Sequence, residues 1–250
     1  MGKKQGILFA AAGILLTMST VGSTSAALTY YSENYTAQME THDIGVTLVE
    51  TSAQGTKDIS SRDYTGGNDE WKQTEGVLLE DMLKESDGKL VLGKNYTEAL
   101  SVKNSGNIDE YVRVRIYRSW TKEDGTKETT LAPDLIVLNM TGNGWLVDEA
   151  ATTKERMVFY WPGILKEGET TPALFDALKI DTSVASKVTK NTVTEGNRTT
   201  VTTTFNYDDV RFNLEAEVDA VQTHNAKDAI KSAWGIEVNI GKDGTLSLVR

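Results

Sequence analysis

The chain has 250 residues, 39% hydrophobic and 25% charged, with a formal net charge of −10 and no cysteine. That is a globular composition, long enough to bury a core without covalent staples. It excludes disulfides, thiol nucleophiles and cysteine-ligated zinc, and its acidic balance is wrong for wrapping nucleic acid. Two histidines, His42 and His224, exclude a three-histidine metal centre.

Residues 1–26 have the order of a secretory signal. Lys3 and Lys4 form a basic start, GILFAAAGILLTM an apolar run, and VGSTSAA a small-residue stretch. The apolar run is short for a membrane span of about 20 residues. Cleavage beside Ala26 or Ala27 is therefore expected, giving an exported protein at the cell surface or in the extracellular matrix. No membrane contact is expected after cleavage. Residues 27–250 then form a single domain, with 27–38 an extended N-terminal segment.

The mature chain reads as mainly β, because several stretches alternate with period two. In DIGVTLVE (Asp43–Glu50), Ile44, Val46 and Leu48 share a face. Ser52–Gly76 is polar and Gly-rich and reads as a long surface loop. Val77–Lys84 (VLLEDMLK) has helical spacing. Thr97–Asn104 is a short strand candidate. In Glu110–Trp120 (EYVRVRIYRSW), Val112, Val114 and Ile116 face in, and Tyr111, Arg113, Arg115 and Tyr117 face out. Leu135–Asn139, Trp145–Asp148, Met157–Trp161 and Thr199–Tyr207 are further strand candidates.

Arg211–Gln222 alternates most regularly. Phe212, Leu214, Ala216, Val218 and Ala220 face in; Glu215, Glu217 and Asp219 sit on a solvated outer face. Arg113 and Arg115 are expected opposite Glu215 and Glu217 on a neighbouring strand. Asn225 is placed to cap a helix over Ala226–Trp234, with Gly235 as its stop and Trp234 buried. Residues 236–250 form a C-terminal hairpin around Gly-Lys-Asp-Gly. Half-polar strands of this kind belong to antiparallel sheets with one wet face. The fold class is an antiparallel jelly-roll-like β-sandwich with one or two short flanking helices.

Catalytic motifs are missing: the sequence has no HExxH, GxSxG, P-loop or GxGxxG in a strand–helix context. His42 and His224 read as turn or capping residues. The aromatic run Phe159–Gly163 with Trp145 suits a core and a turn better than a sugar platform. No cofactor, metal or catalytic residue is assigned.

Four stretches carry a family resemblance: ALTYYSENYTAQMETHDIGVTLVE (Ala27–Glu50), GKNYTEALSVKNSGNIDEYVRVRIYRSW (Gly93–Trp120), YWPG (Tyr160–Gly163) and AEVDAVQTHNAKDAIKSAWG (Ala216–Gly235). Together they resemble the TasA/camelysin family of exported Gram-positive surface and biofilm-matrix proteins. The resemblance implies a sandwich, processing by a dedicated SipW-type signal peptidase, and a role as a fibre subunit whose partners are its own copies and other matrix proteins. Metalloprotease activity, a label carried by some members, is not transferred without HExxH. A camelysin-like protease remains the runner-up, and a surface adhesin or carbohydrate-binding module the third reading.

The residues offer a physical route to fibres. Sheet edges accept added strands. Ala27–Gln38 carries one charge, Glu33, and Leu28, Tyr30, Tyr31 and Tyr35 give it apolar bulk. Freed by cleavage, it would serve as a donor strand for the next subunit, and head-to-tail addition builds an open filament. The same residues also suit a disordered N-terminus or the chain's own edge strand.

Overall fold

The computed structural model describes residues 43–65, 70–195, 198–207 and 209–249. Two antiparallel sheets dominate. The first has six strands in the order β3-β2-β1-β4-β9-β6: β1 (Ile44–Ser52), β2 (Gly55–Thr65), β3 (Glu70–Gln73), β4 (Tyr96–Asn104), β6 (Ile136–Met140) and β9 (Phe175–Ile180). The second has four in the order β12-β5-β8-β7: β5 (Glu110–Lys122), β7 (Leu146–Val147), β8 (Arg156–Tyr160) and β12 (Val210–Gln222). A separate ribbon pairs β10 (Val188–Glu195) with β11 (Arg198–Phe205).

The main core lies between the two sheets. Val46 and Leu48 of β1, Leu100 and Val102 of β4, and Leu178 and Ile180 of β9 pack against Val112, Val114 and Ile116 of β5 and Val218 and Ala220 of β12. Period-two alternation places these residues on one face of each strand. The second sheet is also covered on its outer face. There, Tyr111, Val158, Tyr160 and Val221 meet Ala226, Ile230 and Trp234 of helix α1 (Ala226–Trp234), with Val238 of β13 (Val238–Ile240) and Leu246 of β14 (Leu246–Leu248). Helix α1 buries residues at i, i+4 and i+8, the stripe its sequence predicts. Gly235 ends it in the left-handed region, with its N–H bonded to the Lys231 carbonyl.

Three expectations need correction. Ser52–Gly76 is not a loop: it holds β2, which pairs with β1, and β3, which pairs with β2. The β2 sequence GTKDISSRDYT hides this because it has almost no apolar alternation. Val77–Lys84 is not an α-helix. Leu78–Asp81 forms a turn with Leu79 at φ 63°, followed by a 3-10 helix over Met82–Ser86, and Val77 is exposed. Asn225 does occupy the N-cap position of α1, but at φ 51° its side chain makes no capping hydrogen bond.

Candidate assembly groove

Strands β5 and β12 pair without interruption over 13 residues, from Val210↔Lys122 to Gln222↔Glu110. This register sets the outer-face charges. Arg115 lies opposite Glu217, as expected, with Nη2 2.8 Å from the carboxylate. Arg113, however, faces Asp219, and Glu215 faces Tyr117. The two strands are neighbours as expected, but of the two acids expected across from the arginines only Glu217 lies opposite one.

Asp219 also departs from the solvated-face reading: its residue exposure is 8%. Arg113 donates to Asp219 Oδ2 from Nε at 3.1 Å and Nη2 at 2.6 Å, and Arg115 Nη2 donates to the same oxygen at 3.1 Å. Arg62 donates to Oδ1 from Nη1. The Arg113 guanidinium also stacks 5.3 Å from the Trp234 ring centre. A carboxylate out of water needs charge-assisted hydrogen bonds, and three guanidinium groups supply them. Arg62 lies 157 positions away in the chain, in a strand with almost no apolar alternation to mark it.

The route Arg62 takes defines the site. Arg62 pairs with Val46 across β2 and β1, so it points to the inner face of the six-stranded sheet. Strand β12 packs against β1. Strands β2 and β3 therefore continue beyond β12, which is an edge strand with β5 as its one partner among the described residues. A cleft of about 430 Å³ runs along that edge. Its walls are Glu215–Val218 of β12 on one side, and Ser60–Arg62 with Thr74–Gly76 on the other. Thr74 is held against β2: its N–H donates to the Ser61 carbonyl at 2.9 Å, and its Oγ1 accepts from the Ser61 N–H at 2.8 Å. The second wall is thus fixed backbone.

The remaining sequence candidates lie elsewhere. Leu28, Tyr30, Tyr31, Tyr35, Ala26, Ala27 and His42 are outside the described residues. His224 is exposed in the turn before α1, where its carbonyl accepts from Gln222 Nε2 at 3.3 Å. Phe159 and Tyr160 are core residues, and Trp145 is buried edge-to-face on Trp161 with Nε1 donating to the Pro172 carbonyl at 3.0 Å. That is the packing role expected of them rather than an exposed sugar platform.

The Asn104-x-Gly106 pair has a structural task. Asn104 is buried; its Nδ2 donates to the Ile108 and Leu165 carbonyls at 2.8 and 3.0 Å, and its Oδ1 accepts from Gly106 N–H at 2.9 Å. This presses Gly106 onto the start of β1, where its N–H also reaches the Gly45 carbonyl at 3.1 Å.

Two of the buried glutamates, Glu98 and Glu110, lie away from the groove and have raised pKa values. Glu98 points into the core, 1% exposed, with neither carboxyl oxygen hydrogen-bonded among the described residues. Burial, reinforced by Glu50 and Glu85, pushes its pKa from 4.5 up to about 8. Glu110 is fully buried, and burial outweighs the pull of the Gly45 amide to raise it from 4.5 to about 9. Both carry a proton at neutral pH.

Comparison with protein-family models, with curated proteins and with solved structures gives no match for this chain.

Proposed function

We propose that this protein is an exported structural subunit of a cell surface or extracellular matrix, and that it self-associates by strand addition along β12. The observation that carries this reading is the overhang. One sheet extends past the edge of the other, and the edge it passes is 13 residues long, with a cleft beside its Glu215–Val218 stretch. An added strand there gains main-chain hydrogen bonds to β12 and a floor formed by β2. Natural sandwiches shield long edges of this kind, because they invite pairing with another chain.

The occupant we assign is Ala27–Gln38 of a second copy. Twelve extended residues run about 40 Å, close to the length of β12. Their one charged side chain, Glu33, would meet Arg62 and Arg115 in a groove that also holds Glu75, Glu215 and Glu217, so its register along β12 matters. The TasA/camelysin resemblance points the same way, and so does the secretory pattern of residues 1–26, whose removal would free this segment.

The test is electron microscopy and sedimentation of purified residues 27–250. The mature protein should form filaments. Deletion of Ala27–Gln38 should leave a folded monomer, and Tyr31→Pro should weaken assembly by removing one ladder donor. Normal filaments from the deletion variant would exclude the segment as the donor.

A further inference from the structure

We propose that Arg62 is a latch on the β12 groove, and that a strand adds along this edge only after the Arg62 side chain leaves Asp219. The inference rests on the strand-addition reading above and concerns how that event is controlled.

The geometry is specific. Arg62 starts on the inner face of the six-stranded sheet, in register with Val46. Asp219 sits on the outer face of the other sheet, in register with Arg113. A side chain joining the two must pass the edge of β12 that β5 does not cover. Arg62 makes that passage, and its guanidinium ends on Asp219 Oδ1. It therefore lies across the strip of backbone that an added strand would occupy.

Two further features make the contact releasable. Asp219 does not depend on Arg62, because Arg113 and Arg115 both bind its other oxygen, Oδ2. Opening the latch leaves the buried carboxylate with two guanidinium partners. The Arg62 side chain is also 36% exposed, so water screens its ion pair and replaces the lost contact. Once swung out, Arg62 remains beside Glu75, Glu215 and Glu217 on the groove walls. It is also available to Glu33 of the incoming segment. A charged arm over a bare edge blocks unwanted pairing, and here the block can be lifted by the partner that supplies the matching charge.

The experiment compares residues 27–250 of the wild type with Arg62→Ala and Arg62→Gln. The glutamine variant keeps part of the stem, and both are first checked for an unchanged circular dichroism spectrum and melting temperature. The readouts are the lag before filaments appear and the binding of a fluorescent peptide of residues 27–38. The latch predicts a lag shorter by about three- to tenfold in both variants, and peptide binding tighter by a similar factor. Lag and affinity equal to wild type in both variants would overturn the latch and leave strand addition standing. If neither wild type nor variants assemble or bind the peptide, strand addition itself is wrong and the latch falls with it.

Discussion

Arg113 and Asp219 face each other across β5 and β12 as a two-point ion pair, Nε at 3.1 Å and Nη2 at 2.6 Å from one carboxylate oxygen. The pair is buried under Trp234, which stacks on the guanidinium. Its two members are unequal. Among the described residues Arg113 has one carboxylate partner, whereas Asp219 serves three arginines. Asp219→Ala should therefore be costly, because it leaves the buried Arg113 guanidinium without this carboxylate and removes one partner each from Arg62 and Arg115. A loss of about 2–3 kcal/mol is expected, below the full range for a sealed pair since Arg62 and Arg115 are partly exposed. Urea unfolding measures it; a loss under about 0.5 kcal/mol would show that water serves the cluster equally well.

Trp234 anchors the outer layer. It is 8% exposed, packs 5.4 Å from Tyr160 centre to centre and carries the Arg113 stack. Trp234→Ala should cost about 3–5 kcal/mol through the cavity and the lost contacts. The damage should be graded in space. Hydrogen exchange should rise first in α1 and the β13–β14 hairpin, which share this apolar layer, and least in β1 and β4. A uniform rise across both sheets would contradict the two-layer description.

The buried glutamates predict the pH dependence of stability. Glu98 is raised from 4.5 to about 8 and Glu110 from 4.5 to about 9. In the unfolded chain both release their protons near pH 4.5, while the folded chain retains them. Stability is therefore highest below pH 4.5 as far as these groups decide it. It falls as pH rises, and levels off only above about 8 for Glu98 and 9 for Glu110. Each retained proton contributes a slope of about −1.4 kcal/mol per pH unit. Glu98→Gln and Glu110→Gln remove the titration and keep the shape, so each should flatten the decline between pH 5 and 8. Urea midpoints across that range provide the measurement, and an unaltered slope in both variants would refute the assignment.

Much of this architecture is legible in the sequence because the core is continuous where alternation is strong. EYVRVRIYRSW and RFNLEAEVDAVQ each have one face fixed by the sandwich interior, and their inward residues Val112, Val114, Ile116, Val218 and Ala220 are in the core. The reading fails where a strand lies beyond the partner sheet. Strand β2 has Ser60 and Arg62 on its inner face because β12 does not cover it, so no apolar period marks it. That blind spot is the site itself. Arg113, Arg115 and Glu217 are visible as an alternating charged row, but Arg62 joins them only through tertiary structure. The outer-face assignment of Asp219 was correct in direction; a sequence does not show that α1 and three arginines then enclose that face. Val77–Lys84 failed for a local reason: Leu79 takes a left-handed backbone, which interrupts helical hydrogen bonding that its spacing alone would allow.

The last prediction concerns Gly106, which fixes where the chain enters the sandwich. A Cβ built on Gly106 would lie 2.3 Å from the Asp43 carbonyl oxygen and 2.6 Å from the Gly45 nitrogen, both of them backbone atoms that cannot rotate away. The close approach is held by four hydrogen bonds. Ser105 N–H donates to the Gly45 carbonyl at 2.8 Å, Gly106 N–H to the same carbonyl at 3.1 Å, Asn107 N–H to the Asp43 carbonyl at 3.0 Å, and Asp43 N–H to Asn107 Oδ1 at 2.7 Å. Gly106→Ala must push the two segments apart and strain or break this set, at a cost of about 1–3 kcal/mol. Because Asp43 follows the proposed donor segment Ala27–Gln38 closely in the chain, loosening its backbone should also loosen the attachment of that segment. It should therefore assemble more slowly than its stability alone accounts for, whereas a core substitution of equal cost, such as Ile116→Val, should not. Matching the two variants for melting temperature and comparing their filament lag times separates the effects. Equal lags would mean that the Asn104–Gly106 clamp serves the fold and has no part in presenting the proposed donor segment.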